Sequence, residues 1–396
     1  MPTEERDVTE DILRAGPPPP LDGFAPIDVW IETDYDGGQF AGWIPDVPGA
    51  LAVAGTRERA LSGALTATGR VREWLEAHGD EAGIPRIWRP DAAGEAVAHR
   101  EPDGYEVNVT LPPDRRRVTQ EEVAAAIRRL GWAREDLLWQ ADRVSAFAAG
   151  GGSLPVNAAR GERTPDAVLR HVAGAEAWLV GRLPDGGRYD GLLDGVPARD
   201  ALAGSRAWVV ERLAALGLAD DGAETADRHG ETWTLAKVLR RMQAHGFDHL
   251  WELERRLVRA DGTADRLVIT LDRVPETGEV VGLLRSVGWD LRASEPASLE
   301  RAITGTTEFA TAWDGRRLVG TARSITDGGQ NALIATVVVH PAYQGLGVGE
   351  RMMHLLIDGR DLVRFSLAAA PGLDAWYRKL GFLPDPHAMF RPRRRR

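Results

Sequence analysis

The sequence of 396 residues contains no cysteine. This absence excludes disulfide bonds, zinc sites with thiolate ligands and a cysteine nucleophile, and it is typical of proteins of the reducing cytoplasm. The sequence also lacks any run of about 18 apolar residues, so we expect no membrane-spanning helix. Its first 25 residues are acidic and rich in proline, without the apolar stretch of a secretory signal. We therefore expect a cytoplasmic protein that does not enter a membrane.

An excess of basic charge is missing as well. The formal net charge is −10, which argues against a general nucleic-acid binder. Basic residues form one dense run, residues 391–396, which hold five arginines. We predict that residues 392–396 are a solvated basic tail, with contact to phosphates as the alternative. The length of the chain exceeds that of a single core and predicts two or three domains.

The N-terminal part combines a tail with a small mixed unit. Residues 1–22 are rich in proline and are predicted to be disordered. Residues 23–83 follow, and the apolar alternation from Ile27 to Ile31 indicates a strand with one buried face. A glycine turn and a second strand come next. Thr56 then suits the N-cap of a helix that ends near His78.

The order of these elements resembles the HicB-like antitoxin domain. The resemblance is carried by the turn Asp36–Gly38, the segment Pro45–Gly49 and the pair Gly55–Thr56. It implies a small α+β unit of the ββαβ type and a role in regulation or in binding a protein partner such as a toxin. The alternative, which the sequence leaves open, is an accessory domain without a partner.

Residues 84–134 are predicted to connect this unit to the next domain. Their pattern is irregular apart from one strand, Tyr105–Leu111, and one helix. Thr119 and Glu122 have the spacing of a capping box, which marks the start of that helix. We expect this segment to contain no further regular structure.

Residues 135–260 have helical periodicity throughout and predict an all-α four-helix bundle. His245 and His249 are four positions apart, so both imidazoles project from one side of the last helix. A third histidine from a neighbouring helix can complete a face of three nitrogen ligands, a set that suits Zn²⁺, Ni²⁺ or Fe²⁺. Position 246 is glycine, so the motif is not that of a H-E-x-x-H metalloprotease.

The two histidine segments resemble the DinB/YfiT-like bundle family. The matching patterns are H-V-A-x-x-x-x-W from His171 and H-x-x-x-H-x-x-E-L from His245. The resemblance implies that His171, His245 and His249 bind a divalent metal, and that the bundle is a metal-dependent, thiol-linked transferase or isomerase. The alternative is a bundle whose histidines bind no metal.

Residues 264–391 are predicted to form an α/β domain with a mixed sheet of five strands. Its most informative stretch begins with the β-branched strand Ala335–Val339, which Pro341 ends. Three glycines then precede a helix: Gly345, Gly347 and Gly349. Free N–H groups and the positive end of the helix dipole converge at such a turn, an arrangement that suits a pyrophosphate.

This stretch resembles the acetyl-CoA loop of the GNAT N-acetyltransferases. The pattern is Gln-x-x-Gly-x-Gly from Gln344, and the aromatic pair Trp376–Tyr377 before Gly381–Phe382 matches the closing motif of that family. A Walker loop is excluded because no Gly-Lys-Ser/Thr follows. The resemblance implies pyrophosphate binding by the backbone of six residues: Gln344, Gly345, Leu346, Gly347, Val348 and Gly349. It also implies binding of the pantetheine arm along Val337, Val338 and Val339.

The same resemblance gives Tyr377 the role of general acid toward the departing thiolate. The general base is not identified; Glu308 is the one candidate, and water is the alternative. We expect His340 to be a turn residue. The leading hypothesis is an N-acetyltransferase that moves an acetyl group from acetyl-CoA to an amine of a small molecule or protein. Two alternatives are the metal-dependent enzyme centred on the bundle and a regulatory or toxin–antitoxin-related interaction protein.

Overall fold

The computed structural model describes residues 24–80, 84, 86–157, 161–191, 195–219, 222, 224–226 and 230–389. The predicted disordered tail and basic tail lie outside these residues. Within the described part of the chain, no helix is both long enough and apolar enough to cross a bilayer.

The N-terminal unit is a four-stranded sheet covered by one helix. The strand pattern predicted from Ile27 to Ile31 is confirmed, since alternate apolar side chains are fully buried there. Thr56 caps the helix by accepting a hydrogen bond from Arg59 N. The strand order is β3-β2-β1-β4, with β1 and β4 parallel. The elements are β1 (Phe24–Tyr35), β2 (Gln39–Trp43), β3 (Leu51–Ala54), α1 (Arg57–Ala77) and β4 (Arg86–Val97).

Strand β4 corrects the prediction for residues 84–134. We expected an irregular connection there, but residues 86–97 pair with β1 and belong to the N-terminal sheet. Pro90 and Gly94 hide this strand from a sequence pattern because both residues weaken strands. Its position explains why they are tolerated: β4 is at the edge of the sheet and needs hydrogen bonds on one side only.

The remainder of the connection is held by side chains instead of a long strand. The predicted strand Tyr105–Leu111 is reduced to a two-residue pairing. Beyond it, Asn108 N donates to Glu231 Oε1 at 2.5 Å, and Lys237 Nζ donates to Asn108 O at 2.7 Å. These buried partners replace the strand ladder. The short elements are β5 (His99–Arg100), β6 (Glu106–Val107), β7 (Thr225–Ala226) and β8 (Thr232–Trp233).

Four long helices pack against one another in the middle of the chain. They are α2 (Gln120–Ala149), α3 (Pro165–Val180), α4 (Ala198–Ala219) and α5 (Leu235–Ala260). The predicted capping box is present at the start of α2, where Thr119 N donates to Glu122 Oε2 at 2.8 Å. The boundary predicted at residue 134 falls inside α2, so the helix predicted in residues 84–134 continues into the predicted bundle. Arg134 forms a buried ion pair with Glu176 of α3 at this point.

The C-terminal unit is a five-stranded mixed sheet, with helices before, between and after its strands in the sequence. The strand order is β13-β12-β11-β10-β9, and only the β12–β13 pair is parallel. The strands are β9 (Val268–Thr270), β10 (Glu308–Asp314), β11 (Arg317–Thr326), β12 (Asn331–Val339) and β13 (Arg364–Ser366). The helices are α6 (Thr263–Arg266), α7 (Thr277–Ser286), α8 (Asp290–Ala293), α9 (Pro296–Thr304), α10 (Val348–Ile357) and α11 (Asp374–Lys379).

Helix α5 contributes to the cores of all three units. Phe247 and Leu250 pack with the N-terminal sheet and α1. Leu253 packs with α2 and α3 inside the bundle. Val258 joins the core of the C-terminal sheet beside Tyr343. The three units therefore share buried surface through one helix.

The N-terminal unit also packs directly against the C-terminal one. Helix α1 crosses the end of α7 at Gly69, where an added Cβ would lie 2.4 Å from Arg285 O. Close approach of the two backbones at this point requires a residue without a side chain. Asp290 strengthens the junction, since it accepts from Arg72 at 2.6 Å and from the backbone of Ile87 at 2.8 Å.

We predict that Gly69→Ala destabilises the protein by about 2 kcal/mol, because backbone atoms must move apart to admit the methyl group. Gly282→Ala is the matched control. It lies in α7 with open space around it and should stabilise the protein by about 0.5–1 kcal/mol through helix propensity. Thermal unfolding of both variants measures the difference. Equal melting temperatures for Gly69→Ala and the wild type would contradict the close packing.

Candidate functional site

The turn between β12 and α10 is the centre of the candidate site. Residues 341–343 form a single 3₁₀ turn after β12, and α10 begins at Val348. Gly345 and Gly347 both have φ near +74°, a conformation that strongly favours glycine. The Gln344 side chain ties the turn to the strand by donating to Val339 O at 2.9 Å.

Free backbone donors are concentrated in this turn. Within the described part of the chain, no acceptor is found for the N–H groups of Gly345, Leu346 and Gly347. The first N–H groups of α10 add to them, since a helix cannot bond its own first turn. The N-terminal end of the helix also carries partial positive charge. Of the predicted residues 344–349, Gln344 is the exception, because its N–H donates to Pro341 O at 3.3 Å. Residues 345–349 thus form a cluster of N–H donors suited to an anionic group.

Strand β12 carries a bulge just before this turn. Thr321 pairs with Val338, whereas Arg323 pairs with Ala335, so β12 has one more residue than β11 between these pairs. Thr336 lies in the bulge with φ of +53°, and its hydroxyl accepts from Arg323 Nε at 3.0 Å. Bulges change the direction of backbone N–H groups and are frequent beside active sites. No signal in the sequence predicted this one.

The edge of β12 is open beyond its first residues. Strand β13 pairs only with residues 331–333 among the described residues, and its ladder ends at Leu333 and Ser366. Residues 334–339 are paired with β11 on one side and leave their other edge unpaired. The predicted segment Val337–Val339 lies on this open edge. An extended ligand can add to such an edge as a further strand does.

Tyr377 lies near the turn, on the short helix α11. Its neighbour Trp376 connects the two, because an added Cβ on Gly349 would lie 3.4 Å from the Trp376 ring. Tyr377 is buried, and this burial raises the pKa of its phenol above the usual value. No described residue forms a hydrogen bond with its hydroxyl. Tyr377 also lines a cavity of about 1180 Å³ beside β13, which the residues of the turn do not line.

The structure argues against Glu308 as the general base. Its carboxylate is engaged by both terminal nitrogens of Arg360. Such a two-point ion pair holds the carboxylate in a salt bridge at the start of β10 and leaves it poorly placed to accept a proton from a substrate. The sequence could not reveal this pairing because the two residues are far apart in the chain.

His340 is buried in the turn after β12. Its Nδ1 accepts a hydrogen bond from Ala342 N at 3.2 Å, and its Nε2 lies 3.0 Å from Glu73 Oε2. Burial favours a raised pKa for Glu73, but the hydrogen bond and charge of His340 and the charge of Arg317 hold the pKa below its usual value. His340 therefore connects the turn to α1. Sequence reasoning missed Glu73 because nothing local links α1 to this domain.

The three predicted histidines meet inside the bundle. Their ligand nitrogens lie within 4.8 Å of one another. His245 Nε2 is 3.0 Å from His171 Nε2 and 3.2 Å from His249 Nε2. Burial lowers the pKa of His171 to about 4 and that of His245 well below its usual value, so both rings are neutral at pH 7. Neutral imidazoles are the form that binds metals.

Two further observations bear on a metal at this cluster. Tetrahedral zinc with Zn–N bonds of about 2.0–2.1 Å separates its nitrogens by about 3.3 Å, close to the two shortest separations here. His249 Nδ1 also lies 2.9 Å from Glu252 Oε2, the kind of carboxylate contact that orients a metal-binding imidazole. The donor set therefore fits a divalent metal.

The histidine cluster borders a cavity of about 320 Å³ between the bundle and the N-terminal sheet. His245 and Asp248 of α5 line one side, with Trp178 of α3. Tyr35 and Trp43 of the sheet line the other side. Sequence reasoning missed Tyr35 and Trp43, because they come from a different unit and have no spacing that relates them to the histidines.

The C-terminal unit is similar to known proteins. Residues 305–384 match the family described as the acetyltransferase (GNAT) domain. An uncharacterized N-acetyltransferase from Prochlorococcus marinus is 31% identical over 126 residues, which are 30% of this chain and 67% of that protein. The C-terminal part of this chain belongs to the GNAT family. The predicted resemblance is thereby confirmed for this region.

Two other relatives are similar to the GNAT domain. An uncharacterized N-acetyltransferase from Porphyra purpurea is 48% identical over 73 residues, or 18% of this chain and 42% of that protein. The chloroplastic serotonin N-acetyltransferase 2 of Oryza sativa subsp. japonica is 35% identical over 126 residues, or 30% of this chain and 63% of that protein. The chain thus spans less than half of the Porphyra purpurea relative. The HicB-like and DinB-like resemblances stay predictions.

Proposed function

We propose that the protein is an N-acetyltransferase that transfers an acetyl group from acetyl-CoA to an amine. The observation that carries this proposal is the juxtaposition of free N–H groups at Gly345–Gly347 with the open edge of β12. One feature suits the pyrophosphate of the donor and the other its extended pantetheine arm. Membership of the C-terminal part in the GNAT family supports the same conclusion.

The donor is bound by backbone groups in this proposal. The N–H groups of residues 345–349 hold the pyrophosphate at the start of α10, and Gln344 ties the turn to β12 through its side chain. The pantetheine arm forms strand-like hydrogen bonds with Val337, Val338 and Val339. A backbone N–H beyond the Thr336 bulge stabilises the oxyanion that forms on the thioester carbonyl.

The chemical step is nucleophilic attack of the acceptor nitrogen on the thioester carbon. A C–N bond forms and the C–S bond breaks, and the electron pair of that bond leaves with sulfur. Tyr377 donates its phenolic proton to the thiolate, and the nitrogen loses its proton to water. Burial favours this role because it raises the pKa of Tyr377, so the phenol stays protonated throughout the neutral range.

The acceptor is an amine of a small molecule or of a protein. The name of the rice relative gives one small aromatic amine, serotonin, as a first compound to test. A screen of amines that measures thiol release from acetyl-CoA identifies the acceptor for this chain.

We predict that acetyl-CoA raises the melting temperature of the protein. A ligand at 100 times its Kd stabilises the folded state by about 2.7 kcal/mol. ADP at equal concentration is the control, since it offers a pyrophosphate without a pantetheine arm and should give a smaller shift. Absence of any shift with acetyl-CoA would contradict the proposed function.

We predict that Tyr377→Phe lowers kcat by about 10²–10⁴-fold, the usual contribution of a general acid. The KM for acetyl-CoA should change little, because the pyrophosphate and pantetheine contacts remain. The matched control is Tyr343→Phe, another buried tyrosine, whose hydroxyl donates to Asp314 at 2.7 Å. Thiol release with an acceptor from the screen measures both variants. A kcat for Tyr377→Phe within threefold of that for Tyr343→Phe would eliminate the assigned role.

A second function is favoured by the histidine cluster. We infer that His171, His245 and His249 bind a divalent metal, with Zn²⁺, Ni²⁺ and Fe²⁺ as candidates. The metal would supply a Lewis acid to a ligand in the cavity beside His245, whose lining includes Trp43 and Trp178. Glu252 would hold the ring of His249 in the orientation that binding requires. This function is independent of acetyl transfer.

Metal analysis of protein purified without a histidine tag tests the second function. We predict about one equivalent of metal per chain, and its loss in His245→Ala, since two nitrogens form a much weaker site than three. His99→Ala is the control, because His99 is exposed and far from the cluster in sequence. Metal content near zero in the wild type, or full retention in His245→Ala, would remove this function.

A further inference from the structure

The last turn of helix α5 places an arginine beside the glycine turn of the C-terminal domain. A Cβ added to Gly345 would lie 3.0 Å from Nη2 of Arg259. The preceding residue, Val258, is buried in the same core as Ala342 and Tyr343, which immediately precede the turn. The bundle helix is therefore fixed at this point, and the guanidinium of Arg259 lies next to the backbone of Gly345.

Arg259 has no competing partner there. No ion pair or hydrogen bond joins its side chain to any residue that the structure describes, and the side chain is exposed. Two carboxylates close to Arg259 in the sequence already have partners. Asp261 accepts from Thr263 N at 2.9 Å, and Glu254 pairs with Arg70. The guanidinium is free to bind an anion.

The glycine turn supplies no positive side chain of its own. Residues 344–349 contain no lysine or arginine, and Glu350 follows them with a negative charge. Arg351 comes next, but its guanidinium donates to Ala264 O at 3.0 Å. A pyrophosphate carries at least two negative charges, which backbone N–H groups balance only in part.

We propose that Arg259 binds the pyrophosphate of acetyl-CoA, so that the bundle completes the donor site of the acetyltransferase domain. The inference rests on the proposed function. It assigns a ligand-binding role to a residue outside the GNAT domain and gives a physical reason for the tight packing of α5 on the turn. The pyrophosphate is favoured over the 3′-phosphate because Gly345 belongs to the turn whose N–H groups are free.

The test compares binding of three donors to the full-length protein by calorimetry. Acetyl-CoA carries all phosphates, its 3′-dephospho form lacks only the ribose phosphate, and acetyl-pantetheine lacks the pyrophosphate. We expect Arg259→Ala to weaken binding of the first two by about tenfold each, which corresponds to about 1.4 kcal/mol. Binding of acetyl-pantetheine should be unchanged. Arg259→Lys should recover part of the loss, because it keeps the charge.

Arg128→Ala is the control, because Arg128 is an exposed arginine on α2 and its loss changes the net charge equally. Equal affinities of Arg259→Ala and Arg128→Ala for acetyl-CoA would overturn the inference while leaving the proposed function intact. A loss seen with acetyl-CoA but absent with the 3′-dephospho form would also overturn it, by assigning Arg259 to the ribose phosphate. An equal loss with acetyl-pantetheine would show a structural role instead. No binding of acetyl-CoA by the wild type would end both proposals.

Discussion

The burial of helix α5 against three different partners is the interaction on which the rest of the structure depends. One part of its surface fills the N-terminal core with Phe247 and Leu250, and its end enters the C-terminal core with Val258. On the same helix, His245 and His249 lie close to His171. A change in the orientation of this helix would therefore disturb two candidate sites at once. The apolar contacts determine where the polar residues of α5 lie.

The candidate acetyltransferase site depends on a local interruption of strand pairing in the C-terminal sheet. Strand β12 leaves its partner β13 after Leu333 and bulges at Thr336. The end of pairing and the bulge both leave backbone N–H and C=O groups without the hydrogen bonds that they would form in a continuous sheet. The glycines of the next turn do the same for the start of α10. Binding by backbone requires few distinctive side chains, which is why Tyr377 is the one residue proposed to take part directly in proton transfer.

The sequence predicted those features that short-range chemistry determines. Glycine spacing located the turn at Gly345 and Gly347, and the i, i+4 histidine pair located the cluster. Periodicity located the helical region but not the continuity of α2 through residue 134. Sequence reasoning failed where distant residues decide. The edge strand β4 contains Pro90 and Gly94 and is recognisable only from its pairing with β1. Glu308 was a candidate base in the sequence, but in the structure its carboxylate is paired with Arg360.

The packing between units could not be predicted from the sequence either. The contact of Gly69 with α7, the pairing of Glu73 with His340 and the position of Arg259 each join residues from units that looked independent. Their individual patterns are those of an ordinary helix surface. A helix pattern shows which side is apolar, but it does not show which unit covers that side.

Hydrogen exchange of the full-length protein with and without acetyl-CoA tests the central claim most directly. The account predicts slower exchange of the backbone amides of residues 337–349, where the open edge of β12 and the glycine turn provide the free N–H groups. Exchange within β1 and β2 should be unaffected. Protection confined to the bundle or the N-terminal sheet, with none at residues 337–349, would contradict it.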